Sequence, residues 1–132
     1  MPAPQTILVA YDDPTTETLG RAADLAEALG ASLVVTTVAA SAGAQEVDDE
    51  SRFAGERLGQ AETYLTGRGL EAELVPSIGH PAKAIVELAR DRGADLIVVG
   101  TRRKGFLERL VEGSVQQDVL RHAPCDVLVV YS

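Results

Sequence analysis

The segment running from Val98 to Val115, VVGTRRKGFLERLVEGSV, ends an apolar run in a glycine, crosses three cations and reaches a Gly-Ser pair. Gly100 has no β-carbon, so the backbone there can bend sharply and approach another group closely. Gly113 offers the same freedom just before a helix-forming stretch, where unpaired N–H groups and the positive end of the helix dipole favour an anion. Ser114 adds a hydroxyl donor. Arg102, Arg103 and Lys104 concentrate positive charge beside that helix start, and the arginine fork suits phosphate. Gly105 supplies further backbone freedom. A purely structural reading accounts for the same residues. Ser114 with Gln117 forms a capping box, and Glu108 and Glu112 balance the basic turn. Spacing alone leaves anion binding and helix capping even.

Other reactive types are sparse. Asp12 and Asp13 resemble the acidic pair of a receiver domain, which binds magnesium beside a phosphoacceptor aspartate at the end of a central strand. Here Gly100 stands where that acceptor is needed, so the receiver reading is the weaker one. His80, just before Pro81, lies where a third strand ends, and reads as a loop histidine before it reads as a ligand. Cys125, the single cysteine, excludes an intramolecular disulfide and a cysteine-based zinc cluster; among Ala, Pro and Val it reads as a small apolar residue. No general base or nucleophile is placed to act, which points to binding without turnover.

The elements that must position these residues follow one grammar. LGASLVVTTV, GLEAELVP, RGADLIVVG and APCDVLVVY each set a β-branched run after a helix-like segment and a stop signal. The stops are Gly30, Gly69, Gly93 and Pro124. With TILVAY placed first, five strands alternate with four helical segments, and such alternation implies parallel strands joined by right-handed crossovers. The continuous runs ILVA, LVV, LIVV and VLVV predict a sheet covered on both faces.

Three helices show apolar stripes. They are Leu19, Ala22, Ala23, Ala26 and Leu29 in the first, Ala54, Leu58, Ala61 and Leu65 in the second, and Ala82, Ile85, Val86 and Ala89 in the third. Asp13 with Pro14 predicts the start of the first helix and Pro81 that of the third. AASAGAQEVDDES, residues 39–51, reads as a solvated loop.

At 132 residues the chain is expected to form one domain, residues 1–132. Its 45% apolar residues are mainly Val, Leu and Ala, with 4% aromatics and no Trp, a palette for helices packed on a sheet. A formal net charge of −8 and a pI near 4.7 oppose nucleic acid and anionic membranes as partners. With no apolar span of about 18 residues and no charged start before an apolar core, neither a membrane helix nor a signal peptide is expected, and the location expected is the cytoplasm.

The assembled motifs resemble the universal stress protein family. Its nucleotide-binding signature runs Gly, two residues, Gly, nine residues, Gly and Ser or Thr after the fourth strand, and Gly100, Gly113 and Ser114 stand at those separations. ILVAYDD is similar to the family's first strand and exit aspartate. GHPAKAIVELARDRGADLIVVGT and EGSVQQDVLRHAPCDVLVV are similar to its later helices and strands.

The resemblance implies a three-layer, Rossmann-like α/β fold: one open sheet of five parallel strands in the order 3-2-1-4-5, helices on both faces. It implies a regulatory dimer of the stress response, binding ATP or AMP, with or without magnesium. The site would take Ala10, Tyr11 and Asp12 at the first strand's exit, with Asp12 toward the adenosine, Val38 against adenine, and Gly100, Arg102, Arg103, Gly105, Gly113, Ser114 and Val115 around the phosphates. Homodimerisation is implied through the last strand, Val127–Tyr131, and an apolar edge strand without proline or lysine has its own physical need of cover. One departure matters: Arg103 occupies the signature's middle glycine. Its cations either hold phosphate by charge or block the loop, leaving a ligand-free scaffold dimer. An adenylate-forming or ATP-pyrophosphatase reading lacks its phosphate loop after the first strand, where YDDPTT stands; slow ATP hydrolysis would be a side activity at most.

Overall fold

The computed structural model describes residues 4–11, 16–39, 44–101 and 115–131. Five strands, β1 (Thr6–Ala10), β2 (Ser32–Ala39), β3 (Ala72–Ile78), β4 (Leu96–Thr101) and β5 (Asp126–Tyr131), alternate with α1 (Glu17–Leu29), α2 (Ala44–Gly67), α3 (Pro81–Arg92) and α4 (Val115–His122). The strands form one sheet in the order β3-β2-β1-β4-β5, and every pairing is parallel. Ile7, Val9, Val35 and Val98 meet α1 and α2 on one face, while Leu8, Val34, Ile97 and Val99 meet α3 and α4 on the other. The continuous apolar runs thus serve two cores, one on each side of the pleat.

Helix ends follow the expected stops. Gly30 and Gly93 close α1 and α3 with φ of 65° and 63°, and Gly69 turns the chain after α2 with φ of 74°, values that a residue with a β-carbon resists. Pro81 opens α3 at its first turn.

Three local expectations change. The helix α1 starts at Glu17 with Thr16 at its N-cap position, without a side-chain cap bond, rather than with Asp13 as expected; Glu17 in the first turn suits the dipole, and Asp13 and Pro14 lie outside the described residues. Leu29 is 39% exposed, because the core-facing stripe of α1 ends at Ala26, whose carbonyl accepts the cap N–H of Gly30. The stretch expected as a solvated loop over 39–51 is helical from Ala44 onward. Ala, Gln and Glu are strong helix formers, and they extend a helix whose later turns are anchored by the buried Ala54, Leu58, Ala61 and Leu65.

Polar clamps tie the layers together. The Asp95 carboxylate accepts from the amides of Gln5 and Thr6 at 2.9 and 3.0 Å, fastening the start of β1 beside β4. Arg68 near the end of α2 donates to the Gly20 carbonyl, the Tyr64 hydroxyl and Asp24 of α1. A β-carbon at Gly20 would stand 3.1 Å from the Tyr64 hydroxyl, a tight contact at the end of the Tyr64 side chain.

Arg92 of α3 grips Glu73 of β3 bidentately at 2.8 and 2.9 Å, and the guanidinium holds the Glu73 carboxyl below its ordinary pKa. A depressed folded-state pKa stabilises the fold above the unfolded value and loses that contribution as the pH falls through the folded one. Glu73→Gln is therefore expected to melt below wild type at pH 7, the gap closing on acidification below about pH 4. Thermal unfolding across pH reads this; a gap that is constant with pH would assign the effect to packing.

Candidate functional site

In an open parallel sheet, ligands bind beyond the carboxyl ends of strands whose chains leave for opposite faces. Here those strands are β1 and β4. They are neighbours, with Ala10 opposite Val99, yet β1 leads to α1 and β4 to α4, on opposite sides of the sheet. The candidate residues Ala10, Tyr11 and Gly100 fall together at this divergence, with Val38 at the end of the next strand.

Tyr11 is 2% exposed, its ring in the core beneath α1 and α2. Its amide donates to the Thr36 carbonyl at 2.8 Å, and its carbonyl accepts from the Thr37 hydroxyl at 2.5 Å. What Tyr11 contributes is the fixed direction in which the chain leaves β1. Ala10, Val38 and Val115 all pack along the α3 and α4 face, and Val115 is the first residue of α4. Apolar groups thus line that side of the exits. Asp12, Arg102, Arg103, Gly105, Gly113 and Ser114, which carry the charged and phosphate-facing part of the expected site, lie outside the described residues.

Gly100 has a packing duty that spacing could not reveal. A β-carbon built there would overlap the Thr18 hydroxyl in the first turn of α1. Thr18 is 1% exposed, and its hydroxyl has no hydrogen-bond partner among the described residues. The bare backbone of Gly100 admits the first turn of α1 against the end of β4.

Sequence reasoning missed the hydroxyls at the end of β2. Strands β2 and β3 run on to Ala39 and Ile78, so Val38 and Ser77 are paired rungs of the sheet. Two consecutive threonines closing an apolar run were the available signal. Thr36 and Thr37, 0% and 4% exposed, hold the exits on both sides, Thr37 at Tyr11 and Thr36 at Val75 and Ser77.

His80 caps α3 without a side-chain cap bond. It lines a groove of about 380 Å³ between α3 and α4 with Lys83, Glu87, Arg90, Asp118 and His122, a mixture that favours neither sign of charge. Burial pushes the Cys125 thiol above its ordinary pKa, which suppresses the reactive thiolate. Among the described residues, no group of three or more His, Cys, Asp or Glu could hold a metal ion, and no helix is long and apolar enough to cross a membrane.

Comparison with known proteins agrees with this architecture. A universal stress protein solved in complex with cAMP is 31% identical, with a TM-score of 0.79 over 97% of both chains. One from Archaeoglobus fulgidus in complex with dAMP is 26% identical, with a TM-score of 0.75 over 96% of this chain and 97% of that one. A Staphylococcus epidermidis protein named as a universal stress protein is 42% identical over 90 residues, 66% of this chain. The chain spans 54% of the length of that curated relative. The model of the universal stress protein family matches residues 4–131. Sharing the five-stranded fold with these relatives, and matched by the family model over nearly its whole length, the chain belongs to the universal stress protein family.

Proposed function

We propose that the protein is an adenine-nucleotide-binding regulatory dimer of the stress response that binds without turning its ligand over. The observation carrying this reading is the divergence of β1 and β4, where Ala10, Tyr11 and Gly100 meet. The cAMP and dAMP complexes of relatives support the choice of ligand. In this reading Asp12 and Val38 hold the adenosine, while Gly113, Ser114 and the cations Arg102 and Arg103 hold the phosphates, with Gly105 and Val115 completing the loop and helix start. ATP brings its magnesium through the phosphates.

The dimer reading rests on the two sheet edges. The β3 edge carries the exposed Pro76, which lacks an N–H to offer a further strand, and Glu73 locked to Arg92. On β5, Val127 to Tyr131 presents an apolar run with Leu128 and Tyr131 exposed, and Leu120 of α4 exposed at 54%. An apolar edge of this kind calls for a partner, and a second copy supplies a matching one.

Arg103 at the signature's middle glycine sustains the rival reading of a ligand-free scaffold dimer. Denaturing purified protein and assaying the supernatant for adenine nucleotide, then titrating ATP with magnesium and AMP, separates the two. Released nucleotide or saturable binding by wild type is the expected result. Binding by Arg103→Gly with none by wild type would establish the blocked loop instead, and binding by neither would remove the nucleotide reading. Phosphate release no greater than that of a Gly113→Val control is expected.

A further inference from the structure

Thr36 and Ser77 bring two hydroxyls together at the carboxyl ends of β2 and β3, oxygen to oxygen 2.7 Å. The Thr36 hydroxyl also lies 2.7 Å from the Val75 carbonyl. A carbonyl only accepts, and a threonine hydroxyl has one proton, so that proton goes to Val75. Ser77 must then donate its own proton to Thr36. What remains on Ser77 is acceptor capacity alone. Thr36 is fully buried while Ser77 is half-buried, so the accessible end of the pair is the one with no proton to give.

This acceptor stands beside the residue assigned to the base. Ser77 and Val38 are partners in register, on strands about 4.8 Å apart with side chains on one face. Val75 and Val38 both pack on the α3 side, which puts Ser77, two residues after Val75, on that side as well. Gly79 donates to the Ala39 carbonyl at 2.9 Å, locking the last turn of β3 to the last residue of β2. The hydroxyl therefore sits on a fixed platform, its direction set by a bond to a buried neighbour.

We infer that Ser77 is a specificity-determining residue of the nucleotide site, an acceptor-only hydroxyl that favours an amino group over a carbonyl at the purine 6-position. The inference rests on the reading of Val38 as the base contact. An amino group completes a hydrogen bond to Ser77, whereas a carbonyl faces lone pairs and gains nothing.

AMP and IMP differ at that position and serve as probes in calorimetric titrations of wild type, Ser77→Ala and Thr36→Val, with circular dichroism melting to check the fold. Wild type is expected to prefer AMP at least roughly tenfold, and Ser77→Ala to reduce that ratio about fivefold by weakening AMP. Thr36→Val removes the group that takes the Ser77 proton, so IMP binding should tighten. A wild type preferring AMP with an unchanged ratio in Ser77→Ala overturns the assignment and leaves the nucleotide reading standing. Failure of IMP to gain in a folded Thr36→Val also overturns it. A wild type that binds neither nucleotide removes the nucleotide reading, and Ser77's role with it.

Discussion

Gly100→Val is expected to lower the melting temperature by roughly 10 °C, corresponding to about 3 kcal/mol of overpacking. The β-carbon overlaps the Thr18 hydroxyl, and Thr18, at 1% exposure, has no open side to move into. The whole first turn of α1 must yield. Valine's higher strand propensity works in the other direction, but it is worth at most about 1 kcal/mol and loses to the clash.

Thr18→Ala alone should cost little, because among the described residues the buried hydroxyl has no bond to lose. It should also restore a large part of the stability of Gly100→Val, since the hydroxyl that overlaps is then gone and the remaining close neighbour is the Thr18 Cβ at 3.2 Å. That coupling, read from urea unfolding of the two single variants and the double, is the diagnostic quantity. Simple additivity would show that α1 does not press on the end of β4 as described.

Leu128→Lys is expected to break the proposed dimer into monomers, with at least a roughly tenfold rise in its dissociation constant. Leu128 lies on β5 at 37% exposure, so lysine there costs the isolated chain little, while a charge buried between two copies without a partner is expensive. Ile78→Lys is the matched control: Ile78 is 58% exposed but sits at the end of the opposite edge strand, and its substitution should leave assembly unchanged. Sedimentation velocity at two protein concentrations distinguishes these outcomes. A wild type that sediments as a monomer, or a Leu128→Lys variant that remains dimeric, would exclude pairing through β5.

The outline of the fold was legible because its signals are local. Gly30, Gly69 and Gly93 mark the ends of helical segments, and ILVA, LVV, LIVV and VLVV announce covered strands without reference to anything distant. The order of the strands was not local information: any permutation of parallel strands satisfies the same periodicity, and the order came from resemblance to a family. The start of α2 was misread because small and acidic residues are as common in loops as in the first turns of helices, and among the described residues its buried apolar anchors are Ala54, Leu58, Ala61 and Leu65.

The site divided along the same line. Residue types at the strand exits were readable. The reason for Gly100 was not, because Thr18 is remote in sequence and meets it only once β1 and β4 are neighbours. The bonds from Thr37 to Tyr11 and from Thr36 to Ser77 likewise exist only after the strands are in register, so a pair of threonines that reads as ordinary strand composition acts as a brace between three exits.

The unequal edges of the sheet have a consequence for assembly size. A sheet extensible at both margins can recruit copies without limit, and the outcome is a fibre. In this chain Pro76 and the Glu73–Arg92 pair close one margin. In the proposed dimer, a twofold pairing of β5 would consume the other in both copies at once and give a ten-stranded sheet with a sealed margin at each end. In the proposed dimer the stoichiometry of two would be set by β3, the strand that takes no part in the contact.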